Sequence, residues 1–317
     1  MDRLTTRELL QQASERLRTA GIETPRLDAE VLLMAVLGQD RAGLYRSLPE
    51  PVSLEVAGRF LELVERRARG EPVAYLTGRR EFYGIEFLVT PAVLIPRPET
   101  EFLVTWAAAQ LRRLSRRPVC IDVGTGCGAV VIALAHTLGP AWGGLLVGCD
   151  ISLPALQVAR MNRDRLAPRR VELVCGDLLA WCRGRLDLIT ANLPYLRPDQ
   201  AHAGLAYEPS QALYAGEDGF ALYRRLLRQA AELLRPDGSM ICEIDPGQRE
   251  VAREAAQALF PAANIQVLPD LAGLDRYLTI ELGSDDGGPE RIEGKSAARP
   301  ARGLDTPGPH TTEGATR

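Results

Sequence analysis

The spacing of apolar residues divides the chain into stretches of different period. Near the N-terminus Leu9, Leu10, Ala13 and Leu17 fall on one helical face. Thr5 and Glu8 precede them as a capping-box pair. A second helix is expected after Thr24 and Pro25, carrying Leu27, Val31, Leu32, Ala35 and Val36 and stopping at Gly38. A third runs from Ser53 through Ala57, Phe60, Leu61 and Val64 to Gly70. Three short helices predict a small bundle, serving either as a packing module or as a docking domain. No side chain in it carries obvious chemistry.

The period changes to two over residues 80–97, where EFYGIEFLVTPAVLIPRP alternates, turns at Gly84 and stops at Pro96. This predicts a hairpin between two domains. An amphipathic helix follows over 99–114, with Phe102, Leu103, Trp106 and Leu111 as its apolar positions. From residue 118 strands and helices alternate. Strand-like runs lie at 119–123, 145–149, 171–174, 186–191, 240–244, 265–268 and 277–282, and helical runs at 129–138, 154–162, 220–234 and 248–259. Such alternation predicts an α/β fold with a doubly wound, mostly parallel sheet of seven strands. The last two strands have no helix between them, so the final one is expected to be antiparallel. The expected division is a helical domain at 1–79, a linker at 80–97, the sheet domain at 98–283 and a tail at 284–317. That tail is rich in Gly, Pro, Thr and charge, and is expected to be disordered.

Composition narrows the function classes. Lys+Arg is 38 and Asp+Glu 41, for a net charge of −3. A uniformly basic surface is excluded, and no stable nucleic-acid partner is expected. No apolar run reaches the length of a membrane span, and the polar N-terminus lacks a signal-peptide core. A cytoplasmic protein is therefore expected. The six cysteines form no CxxC pair, and with three histidines there is no metal-ligand spacing, so no metal site is expected.

Candidate chemistry begins at the first strand of the sheet. Asp122-Val-Gly124-Thr125-Gly126-Cys127-Gly128 ends that strand and opens a helix. Glycines there allow a tight turn and close approach to a ligand, and the helix start offers N–H groups. Asp150 ends the second strand, where a carboxylate can accept from both hydroxyls of a ribose. Gly176-Asp177 ends the third, where it can face the amine of an adenine. Either acid alone could simply cap the turn that follows. The ordered set resembles class I S-adenosylmethionine methyltransferases, whereas a dinucleotide site usually keeps GxGxxG for its pyrophosphate. A nicotinamide dehydrogenase stays a competing reading.

Asn192-Leu193-Pro194-Tyr195 ends the fourth strand, at the carboxyl edge where doubly wound sheets bind ligands. An Asn side-chain oxygen there can accept one N–H of a planar NH2 group, and the carbonyl of residue 193 the other. Pro194 stiffens the turn and Tyr195 offers an aromatic face. Holding an amide nitrogen this way aims its lone pair at an electrophilic methyl group. The motif is similar to the Asn-Pro-Pro-Tyr of amino-methyltransferases that act on glutamine amides, adenine or cytosine. With Leu193 it also resembles the rRNA adenine dimethyltransferases, so RNA or DNA adenine methylation is an alternative, and a non-catalytic cofactor-binding adaptor another.

The rest of the chain carries a wider resemblance. Gly70-Glu-Pro-Val-Ala-Tyr-Leu-Thr-Gly78, Arg80-Glu-Phe-Tyr83, Leu94-Ile-Pro-Arg-Pro-Glu-Thr-Glu101, Tyr207-Glu208-Pro209 and Asp270-Leu-Ala-Gly273 are similar to the peptide chain release factor glutamine N5-methyltransferase family. The resemblance implies methylation of the glutamine amide in the Gly-Gly-Gln loop of class 1 release factors, with the N-terminal helices helping to hold that partner. It implies that Gly124, Thr125, Gly126, Cys127, Gly128, Asp150, Asp177, Leu178 and Asn192 bind S-adenosylmethionine. Some relatives place an aromatic ring at the position of Leu178. It further implies that Asn192, Leu193, Pro194 and Tyr195 hold the glutamine, with Glu208 as a substrate contact, and that Arg97 and Glu99–Glu101 close the site.

Overall fold

A computed structural model describes residues 4–200 and 203–283. The tail expected at 284–317 lies outside the described residues. Five helices open the chain: α1 (Thr6–Thr19), α2 (Pro25–Leu37), α3 (Arg41–Arg46), α4 (Leu54–Ala68) and α5 (Val73–Thr77). Thr5 and Glu8 form the expected capping box on α1, and Gly38 ends α2 with φ 65°. Two helices more than expected are present, because α3 and α5 are too short to show a period. Local devices hold them instead: Asp40 caps α3 by accepting from Gly43 N at 2.7 Å, and Leu44 is buried.

The helical core gathers Leu9, Leu17, Leu32, Leu33, Leu44 and Phe60. Leu27, expected on the apolar side of α2, is half exposed. That helix is apolar on most of its circumference, so pattern alone does not select its inner face. Its buried acids are paired, Asp28 with Arg67 at 2.7 Å and Glu30 with Arg26 at 2.8 Å.

A hairpin follows, β1 (Arg79–Phe82) against β2 (Ile85–Leu88). Its two-residue turn, Tyr83-Gly84, has φ 55° and 71°, as a type I′ turn requires. The second strand ends at Leu88, and residues 89–97 run on without strand pairing. Then come α6 (Glu101–Arg113), β3 (Val119–Val123), α7 (Ala129–Leu138), β4 (Leu145–Asp150), α8 (Leu153–Leu166), β5 (Glu172–Cys175) and β6 (Leu186–Asn192). The sheet domain finishes with α9 (Ala221–Leu233), β7 (Leu234–Glu243), α10 (Arg249–Leu259), β8 (Asn264–Pro269) and β9 (Asp275–Glu281).

The sheet order is β5-β4-β3-β6-β7-β9-β8, with β9 antiparallel to both of its neighbours. One core, with α6 and α7, covers one face, and a second, with α9 and α10, covers the other. Strand order reverses between β3 and β6, the place where doubly wound sheets open a crevice. Asn162 on α8, fully buried, binds both the N–H and the carbonyl of Leu88, at 2.8 and 2.9 Å, and the carbonyl of Cys127 at 3.0 Å. One side chain therefore ties the hairpin to the glycine loop.

Candidate active site

A cavity of about 350 Å³ opens at the carboxyl ends of β3, β4 and β6. Its floor is the loop after β3. Gly124 N and Thr125 N both donate to Cys149 O, at 2.8 and 3.0 Å, which curls the loop toward β4. Gly124 has φ 74°, and a Cβ on it would lie 2.8 Å from Leu193 Cδ2. Both the backbone angle and the close approach demand glycine. Gly128 starts α7 with φ 83° and packs behind the loop against Ile132, outside the cavity lining. Burial pushes the Cys127 thiol up to about 12, so it stays protonated and unreactive at neutral pH.

Three acids surround this floor. Asp122 is buried beneath it and accepts from Thr125 at 2.6 Å and Thr190 at 2.7 Å. Burial pushes its carboxyl up to about 6 despite those two hydroxyls. Asp150 accepts from Gly126 N and Ser152 N, each at 2.9 Å, one on each oxygen. Each oxygen keeps a second lone pair, so the carboxylate can still bind a diol. Burial raises its pKa as well. Asp177 is half exposed and takes one oxygen to Arg225. Leu178 beside it has φ 50°, a left-handed angle costing a branched side chain about 1–2 kcal/mol. Its carbonyl holds Trp181 Nε1 at 3.0 Å, which secures the turn.

The motif after β6 forms the opposite wall. Asn192 sits beside Glu243 in the β6–β7 register, and its Nδ2 donates to Thr100 Oγ1 at 3.0 Å. Thr100 in turn donates to Glu243 Oε2 at 2.7 Å. Leu193 N donates to the hydroxyl of Tyr223 at 3.0 Å, and that hydroxyl donates to Glu243 O. Asn192, Leu193 and Pro194 all line the cavity.

Besides Gly128, two residues expected at the site lie outside the cavity lining. Tyr195 packs on the second core outside the lining, near Glu243 and Arg276, and burial raises its hydroxyl pKa. Glu208 is buried, accepting from Ile95 N at 3.2 Å and pairing with Arg97. It straps the segment after β6 to the segment after the hairpin, and Pro209 and Ala212 of that segment line the cavity. Sequence reasoning included Thr100 in the closing segment Glu99–Glu101 without giving it a role of its own, and passed over Glu243 and Tyr223. A carboxylate closing the apolar run Met240-Ile-Cys-Glu243-Ile is the signal that could have found Glu243.

The cavity's size suits a small-molecule ligand. Paired carboxylate oxygens at Asp150, a half-free Asp177 and a glycine loop with left-handed angles at Gly124 and Gly126 fit a nucleoside-bearing methyl donor better than a pyrophosphate.

Comparisons with known proteins agree. A family profile described as the PrmC N-terminal domain matches residues 8–78, and one described as a methyltransferase domain matches residues 115–270. The release factor glutamine methyltransferase of Moorella thermoacetica is 43% identical, over 86% of this chain and 97% of that protein. That of Bradyrhizobium diazoefficiens is 40% identical, over 83% and 90%. The fold extends further: the hMettl16 catalytic domain, solved with hairpin 6 of the MAT2A 3'UTR, aligns with a TM-score of 0.54 at 15% identity, over 79% of this chain and 95% of that one.

Proposed function

Because the chain belongs to the release factor glutamine methyltransferase family, we infer that it methylates the side-chain amide of the glutamine in the Gly-Gly-Gln loop of class 1 peptide chain release factors. S-adenosylmethionine is the methyl donor, and it supplies an electrophilic methyl group when bound. Gly124, Gly126, Asp150, Asp177 and Leu178 are the residues that would hold it. The helices before the hairpin serve as the docking part for the protein substrate, which works in the cytoplasm.

The observation that carries this reading is the state of Asn192. One N–H of its Nδ2 is given to Thr100, which turns that end of the amide toward Thr100 and leaves Oδ1 as the acceptor it offers to the cavity it lines. An acceptor there, with the carbonyl of Leu193 next to it, suits the two N–H groups of a primary amide. Pinning both N–H groups draws the nitrogen lone pair out of conjugation and aims it. No side chain has to act as a strong base, because the nitrogen becomes acidic once it is methylated, and its proton passes to water.

Incubation with labelled S-adenosylmethionine and a purified class 1 release factor tests this. Label is expected in the protein and lost when the loop glutamine is replaced by alanine. An rRNA arm tests the adenine alternative that Leu193 raises, and label found only in RNA would overturn the reading. Asn192→Ala is expected to abolish transfer in a folded protein.

A further inference from the structure

Glu243 is 1% exposed and Thr100 is 5% exposed, yet both are polar. A carboxylate buried this deeply is costly, and removing it in favour of an apolar residue would ordinarily stabilise the fold. Its placement suggests what it does. It stands behind Thr100, which stands behind Asn192, with donor–acceptor distances of 2.7 and 3.0 Å along the line.

A hydroxyl carries one proton. With that proton given to the Glu243 carboxylate, Thr100 Oγ1 faces Asn192 as an acceptor alone. Only the NH2 end of the Asn192 amide can then meet it. The two ends of an amide have nearly the same shape, so hydrogen bonding decides which one faces the cavity. Reversed, Asn192 would present N–H groups to the N–H groups of the substrate and could not hold them.

We propose that Thr100 and Glu243 are positioning residues: the ionised Glu243 carboxylate fixes the Thr100 proton, and Thr100 thereby fixes Asn192 with Oδ1 toward the substrate amide. This rests on the glutamine-methylation reading of the site. A protonated Glu243 can donate to Thr100, which frees the Thr100 proton to turn toward Asn192 and releases the amide to flip. Burial pushes the Glu243 carboxyl up to about 7, helped by Glu99 and opposed by Thr100, Arg276 and the Tyr195 hydroxyl. Tyr277 on β9 and Tyr223 on α9, whose hydroxyl donates to the Glu243 carbonyl, also face it, and Asp245 beyond β7 stands by the Tyr195 hydroxyl. Turnover is therefore expected to fall as pH drops through about 7.

The test compares wild type, Glu243→Gln, Thr100→Val and Thr100→Ser on a purified class 1 release factor with labelled S-adenosylmethionine, from pH 5.5 to 9 by design. Wild type is expected to show a limb rising with pH. Glu243→Gln, whose amide can donate or accept, is expected to lose that limb and to turn over about tenfold or more below wild type at pH 8.5. Thr100→Val is expected to lose kcat similarly, and Thr100→Ser to recover most of the loss. Donor affinity, read by calorimetry, is expected to stay within about threefold in the variants, since neither residue is assigned to the donor. A wild-type limb that persists unchanged in Glu243→Gln, or Thr100→Val turning over like wild type, overturns the relay. Failure of wild type to label the release factor would instead overturn the reading beneath it.

Discussion

Replacing Tyr223 by Phe isolates the device that takes over from a missing proline. Tyr223 is fully buried and stacks on Phe220 with ring centroids 5.4 Å apart, an arrangement phenylalanine preserves. Only the hydroxyl is lost, and with it the acceptor of Leu193 N at 3.0 Å and a donor to Glu243 O. Leaving a buried backbone group unpaired costs about 1–3 kcal/mol, so the substitution should destabilise by roughly 3 kcal/mol. In a protein of this size that lowers the melting temperature by about 5 °C. Proline at 193 has no N–H, so in a Leu193→Pro background the Leu193 part of the penalty disappears. The four proteins of the double-mutant cycle should therefore show a coupling of about 1–2 kcal/mol in thermal or urea unfolding. Leu193→Pro alone should keep methyl transfer within about tenfold of wild type, because the carbonyl that accepts the substrate N–H is still present. Additivity within about 0.5 kcal/mol would refute the idea that Tyr223 holds the backbone at Leu193.

Gly124→Ala should cost at least about 1–2 kcal/mol from its left-handed angle, and more from the approach to Leu193, and should weaken donor binding measured by calorimetry. Arg97→Ala leaves Glu208 buried without its counter-charge; with Arg97 itself 35% exposed, a loss of about 2–3 kcal/mol in thermal unfolding is expected. Adding Glu208→Gln should restore at least half of it, whereas a rise in KM with stability unchanged would favour a direct substrate contact. Glu243 rises from 4.5 to about 7 on folding. Folded protein thus binds more protons than unfolded between those values, and stability is lost as pH rises through them, by about 3 kcal/mol as an upper bound. Glu243→Gln should accordingly melt higher than wild type above pH 7, with the gap closing toward pH 4.5; a gap independent of pH would contradict the buried titration.

The period of the apolar residues by itself determined the alternation after residue 118 and the antiparallel closing strand, and the glycines after the first strand marked the loop at the crevice, because these are local patterns within a few residues. Motif order likewise placed Asp150, Asp177 and Asn192 at strand ends, since a strand's end is visible where its apolar run stops. What only the tertiary structure decided are pairings between residues far apart in the chain. Thr100 and Glu243 are 143 residues apart and Leu193 and Tyr223 are 30 apart, and no local pattern announces either pair. Glu208 was read as a contact for the substrate, and the fold gives it Arg97, 111 residues away. Tyr195 was read as a face for the substrate, and packing against the second core takes it out of the cavity lining. Sequence spacing says which residues share an element. Which buried polar group answers which is settled only when the elements close, because each unpaired donor or acceptor must then find a partner at hydrogen-bond distance.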